Sequence, residues 1–133
     1  MENKTNRLFI KQDEYSPQFI KLAHLYRLFK GKRQFVLEML DIFMEQLPNA
    51  LLKMEQHIEV KNKKGINYEA HNIKSTIKTI GLKELAKMAL SLEYCEADSW
   101  EEIEANYRTF KSEALIEVKA LNEERDLLLK SLE

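Results

Sequence analysis

Apolar residues recur along most of this chain at intervals of three and four. The clearest run is Val36, Leu40, Phe43, Leu47, Leu51, Met54 and Ile58, spaced 4, 3, 4, 4, 3 and 4. Such spacing keeps all seven on one side of an α-helix, so it predicts a helix from Lys32 or Arg33 to about Val60. Pro48 lies inside the run and is expected to bend the helix or divide it. Upstream, Ser16-Pro17 reads as an N-cap followed by proline in the first turn. It opens a short helix carrying Ile20, Ala23, Leu25, Leu28 and Phe29, which Gly31 stops. The basic segment from Lys61 to Gly65 is read as a loop closing the second helix.

A third helix is predicted from about Ile66 to Ile80, with Gly81 as its C-cap. A fourth follows from Leu82 to about Ala97, with Leu85, Ala89 and Leu92 turned inward. Asp98-Ser99 supplies a turn and cap for a fifth helix that runs nearly to the end. Its expected inward set is Trp100, Ile103, Tyr107, Phe110, Ala114, Val118, Leu121 and Leu128. No strand alternation, internal repeat or low-complexity tract interrupts the pattern. Four long helices joined by short connections favour antiparallel neighbours. The predicted fold is all-α: an up-down-up-down four-helix bundle with an additional short N-terminal helix. Residues 1–14 lack periodicity and are expected to form a loose lead-in or linker remnant before one bundle domain over 15–133.

Composition narrows the function. Charged residues make up 32% and apolar residues 44%, with a formal net charge of −1, so no global field recommends nucleic acid or an anionic membrane. The single cysteine, Cys95, excludes an internal disulfide and any multi-cysteine metal site. No apolar run approaches the ~20 residues needed to span a bilayer, and no signal peptide opens the chain, so a cytoplasmic location is expected.

The third helix carries the candidate chemistry. At 100° per residue, Ile66, Ala70, Ile73, Ile77 and Ile80 cluster into one stripe, while His71 falls ~140° from Ile66. Ser75 falls at ~180°, Lys78 at ~120° and Lys74 at ~80° on the same scale. His71 is therefore expected on the solvent side, flanked by two ammonium groups. A free imidazole, with a pKa of roughly 6.5, is a competent nucleophile near neutral pH. A phosphoryl group accepted there would bring negative charge that lysines three and seven residues on are placed to neutralise. Set against this, an exposed histidine and two solvated lysines without a role fit the same geometry.

At these residues the sequence resembles the histidine-containing phosphotransfer (HPt) domains of two-component phosphorelays. The resemblance rests on Ala70-His71-Asn72-Ile73-Lys74-Ser75, then Gly81-Leu82 and Leu85, and on the order of helices over about residues 16–125. It implies that His71 is the phosphoacceptor, that Lys74 neutralises the phosphoryl group, and that Gly81 turns the chain into the next helix. Two positions depart from the family's pattern. Ser75 stands where glycine is usual, small enough for close approach and able to hold phosphoryl oxygens. Lys78 stands where small residues are common, adding a cation or crowding a partner.

The resemblance further implies a carrier without ATP-binding machinery. It would accept phosphoryl from a receiver-domain aspartate and pass it to another receiver, with Mg²⁺ belonging to the receiver and no cofactor of its own. Response-regulator receiver domains and a hybrid sensor histidine kinase are the implied partners. Phe35, Met39, Ile42 and Gln46 form a second line along the second helix, again spaced 4, 3 and 4, and are the expected docking residues. Phe35 is expected to be shared with packing under the first helix.

Rivals fare worse. There is no Walker-type phosphate loop. A sensor kinase's dimerising helix typically has an acidic residue after its histidine, where Asn72 stands here. Metal-binding bundles use Glu-x-x-His pairs, but Lys21, Met54 and Tyr68 precede His24, His57 and His71 at that spacing. His24 and His57 read as edge residues. The alternative kept open is a non-phosphorylated interaction module of the same fold. A monomer is expected, with Met39 and Ile42 the surface on which a dimer would form. The basic loop is expected to be neutralised by the acidic residues from Glu93 to Glu104 at the same end.

Overall fold

The computed structural model describes residues 21–131, and its regular structure there is entirely helical. Five helices follow in order: α1 Ala23–Leu28, α2 Arg33–Glu59, α3 Lys63–Ile80, α4 Lys83–Glu93 and α5 Trp100–Lys130. The expected lead-in and the Ser16-Pro17 cap lie outside the described residues.

Cross-helix pairs set the directions. Asp41 meets Arg125 while Glu55 meets Lys111, so numbers rise on α2 as they fall on α5. Gln46 meets Thr76 and His57 lies against Gly65, making α2 and α3 antiparallel. Lys74 reaches Glu93 at the end of α4 and Asn67 reaches Glu96 just beyond it, which does the same for α3 and α4. Each long helix packs on two others, closing an up-down-up-down bundle, and α1 lies across α2 and α3. Phe43 and Phe110 are fully buried at the centre with Leu40, Leu47, Met54, Ile66, Ile77 and Leu92.

The α2 stripe is buried from Val36 to Met54, with Ile58 half-buried at the end. Pro48 does not divide the helix. Proline removes one backbone N–H and its ring crowds the carbonyl one turn back, and packing on both flanks outweighs that local cost. α3 starts three residues earlier than the apolar pattern suggests. The Asn62 side chain caps it by accepting from the Gly65 N–H (3.1 Å), which turns Lys63, Lys64 and Gly65 into its first turn rather than a loop. α4 is shorter than expected and ends at Glu93, after which Cys95 is buried with its thiol directed at the Lys63 carbonyl (3.9 Å). Ser99 caps α5 through the Glu102 N–H (3.1 Å).

On α5, Trp100 and Val118 are only half-buried, whereas Glu117 and Glu124 sit in the inward stripe. Their burial has a chemical reason. Glu124 accepts the backbone N–H groups of Lys21 (2.8 Å) and Leu22 (3.1 Å), and Glu117 accepts the Lys21 ammonium (2.9 Å). Two carboxylates thus hold the entry to α1. Within α1, Leu25 and Tyr26 are buried but Leu28 is exposed, and Phe29 just after it is half-buried.

The basic segment and the acidic stretch also meet differently from expectation. Among the described residues no carboxylate pairs with Lys61, Lys63 or Lys64. Lys63 instead donates to the backbone carbonyls of Glu96 (3.2 Å) and Asp98 (2.6 Å). Lys61 and Lys63 also lie over the Trp100 ring, 5.3 and 5.7 Å from its centre.

Candidate functional site

α3 is fixed at both ends, which sets the height of everything on its face. Asn62 fixes the start. At the other end Gly81 adopts φ +96°, its N–H bonds the Lys78 carbonyl (3.0 Å), and the Leu82 N–H bonds the Ile77 carbonyl (3.2 Å). This is a Schellman closure, which glycine makes without the steric cost other residues incur. A Cβ at Gly81 would also lie 2.6 Å from the Cβ of His24, so the missing side chain lets α1 sit against this turn.

Between those ends, Ile66, Ala70, Ile73, Ile77 and Ile80 are buried and His71 is exposed, as the helical angles require. The His71 side chain is 64% exposed, yet its Nδ1 is 2.5 Å from Oε1 of Glu93, whose side chain is 7% exposed. The other carboxylate oxygen, Oε2, accepts the Lys74 ammonium, on a side chain 14% exposed. The hydrogen bond from Lys74 is the largest influence on the Glu93 carboxyl. With help from His71, it outweighs burial and holds the group below the usual carboxylate range. Glu93 is thus an acceptor only, and Nδ1 must carry the proton that faces it. In the neutral ring this leaves the lone pair on Nε2, the nitrogen open to a reactant.

The other expected site residues are arranged unevenly. Ser75 and Lys78 are exposed on the same side of α3 as His71. Lys74 is mostly covered and engaged with Glu93. Lys78 joins Lys74, Lys83 and Lys87 around a shallow groove between α3 and α4. On α2, Phe35 and Ile42 are exposed at 42% and 44%. Phe35 also meets the Phe29 ring at 6.0 Å and lies under the Lys32 ammonium at 5.4 Å. Met39 differs from expectation: it is half-buried and packs against the core, because it flanks the Val36–Leu40 stripe. Gln46 is exposed, but its amide oxygen accepts the Thr76 hydroxyl (2.6 Å), tying α2 to α3.

Glu93 and Thr76 are the residues that the sequence pattern did not single out. Thr76 carries no signal beyond its place beside Ile77. Glu93 carries one. His71 lies ten residues before Gly81 and Glu93 twelve after it, so two antiparallel helices folded at that glycine bring them level. Among the described residues no group of three or more His, Cys, Asp or Glu side chains is placed to hold a metal ion. No helix there is long and apolar enough to cross a membrane.

A family model described as the Hpt domain matches residues 38–128. The chain belongs to the Hpt domain family. The match takes in His71, Lys74 and Glu93, and leaves α1 and Phe35 outside it. The chain is also 28% identical over 90 residues to the phosphorelay intermediate protein rdeA of Dictyostelium discoideum. That stretch covers 67% of this chain but 35% of the relative, so the likeness concerns about a third of that protein. No solved structure matches. Within this Hpt domain, the ring–carboxylate–ammonium chain from His71 through Glu93 to Lys74 is the most fully built polar arrangement on the exposed side of α3.

Proposed function

We propose that this Hpt domain is a phosphorelay intermediate that carries a phosphoryl group on His71 between receiver domains. The observation that supports it most is the anchored ring. Glu93 holds Nδ1–H, so Nε2 presents a lone pair without further rearrangement. In the step proposed, Nε2 attacks the phosphorus of a receiver's aspartyl phosphate in line. The N–P bond forms as the P–O bond breaks, and the carboxylate leaves on the receiver, where Mg²⁺ is also held. Passing the group on reverses the same bonds with a second receiver's aspartate. Such transfer depends chiefly on position and charge. Lys74 and Lys78 are assigned to stabilise the phosphoryl oxygens, and Ser75 to leave room and offer a hydroxyl. Phe35, Ile42 and the Gln46–Thr76 pair are assigned to the docking face, with Met39 supporting it from beneath. The chain acts as a carrier, with no nucleotide chemistry of its own.

The test is to incubate the protein and its His71→Gln variant with a panel of phosphorylated receiver domains and Mg²⁺. Acid-labile, base-stable label on the wild type alone is the expected result. Absence of label from both, with receiver binding intact, would replace the carrier with a non-phosphorylated interaction module.

A further inference from the structure

Beyond His71, the groove between α3 and α4 has a composition that the transfer step does not account for. It encloses about 370 Å³ and is lined by Lys74 and Lys78 from α3 and by Lys83, Ala86, Lys87 and Leu90 from α4, with Gly81 and His24 closing one end. No carboxylate lines it. Among the described residues Lys78 and Lys83 have no acidic partner. Lys87 has only Glu84, at 3.3 Å in a pair whose side chains are 73% and 75% exposed, which water and salt largely screen. The floor is apolar. It adjoins the transfer site, because Lys74 belongs to both.

We propose that this groove docks an acidic segment of the partner receiver domain, with an apolar side chain over Ala86 and Leu90 and carboxylates against Lys78, Lys83 and Lys87. The reading rests on the phosphocarrier function proposed above for its choice of partner. Charge complementarity makes the argument, and the spread of the charges decides the kind of ligand. Lys83 and Lys87 lie four residues apart on α4, separated by about 6 Å along its axis, and Lys78 stands across the groove on α3. With Lys74 taken up by Glu93, a row of two lysines on α4 facing Lys78 on α3 across an apolar floor fits an extended acidic chain. They do not converge on a point, as a site for a single phosphate must. A patch of this kind acts mainly on encounter and choice of partner.

Lys83 and Lys87 are exposed and take no part in the proposed transfer chemistry, so they are the residues to change. Binding of the receiver panel is titrated against the wild type, Lys83→Glu/Lys87→Glu, Lys83→Gln/Lys87→Gln and Lys83→Arg/Lys87→Arg. Labelling of His71 by phosphoramidate, a donor too small to need docking, is followed in parallel. Expected are a loss of receiver affinity of about tenfold or more in the Glu variant, a smaller loss with Gln, and retention with Arg. Affinity of the wild type should fall steeply towards ~0.5 M salt, and that of the Glu variant should not. Phosphoramidate labelling should match in all four. Equal receiver affinity and equal salt dependence in wild type and charge-reversed protein would overturn the proposal, as would failure of every receiver to bind the wild type. Charge-dependent binding without any label would uphold the groove and overturn the carrier.

Discussion

Glu93 serves two donors at once, and that sharing makes its substitution informative. Glu93→Gln keeps the shape but puts an amide N–H₂ against either the His71 Nδ1–H or the Lys74 ammonium. The ring then loses its fixed tautomer or Lys74 loses its counter-charge. A fall in phosphoryl transfer on the order of ten- to a hundredfold is expected, measured as single-turnover rates from a saturating receiver. The acid limb of stability should change too. A carboxylate held low in the folded state contributes stability that is present above its unfolded pKa and lost as pH falls through the folded one. Urea titrations below about pH 4.5 should therefore show a shallower loss for Glu93→Gln than for the wild type. The position of His71 on the exposed face was legible from helical angles alone. The partner beneath it was not, because Glu93 is one of several acidic residues between 93 and 104. Only the fold at Gly81 distinguishes it from the rest.

At the scale of elements, most helices could be read from apolar spacing, and the errors fall at their ends. Capping side chains and tertiary contacts set those ends, and apolar periodicity is silent about both. α3 begins where Asn62 can cap it, three residues before its first core isoleucine. Asn62→Ala and Ser99→Ala should each cost about 1 kcal/mol in urea melts, with the Hpt domain still folded. Gly81→Ala should cost more, at least the ~1–2 kcal/mol of a left-handed alanine, because its Cβ also meets His24. α5 shows a different blind spot. Its inward stripe alternates by three and four through Glu117 and Glu124, two residues that hydropathy assigns to solvent. Their acceptors are needed by the backbone and side chain at the entry to α1, a demand that no property of α5 itself reveals.

For the molecule as a whole, Glu124 couples protonation to the attachment of α1. Burial raises its pKa, and the like-signed Glu117 adds to the rise, against the opposing pull of the Lys21 and Leu22 N–H groups and of the Lys21 ammonium. A carboxyl raised in the folded state binds protons there first, so stability should increase as pH falls from neutrality towards the unfolded value near 4.5. Glu124→Gln should flatten that increase in melts taken between those limits. The bundle's order of contacts reaches further, into how fast it assembles. α2 packs on α3, α3 on α4 and α4 on α5, each its neighbour along the chain, while among the described residues α2 against α5 is the main long-helix contact between elements far apart in sequence. Local pairings of this kind favour rapid folding, so the α2–α5 seam is the last place where chain entropy must be lost. That seam is held by the Tyr107 hydroxyl, whose one proton is shared between the Leu51 carbonyl (3.1 Å) and Glu55. Tyr107→Phe should leave the refolding rate nearly unchanged and put its effect into faster unfolding. The lifetime of the closed bundle is then set at the seam opposite His71, where substitution leaves the residues proposed for transfer untouched.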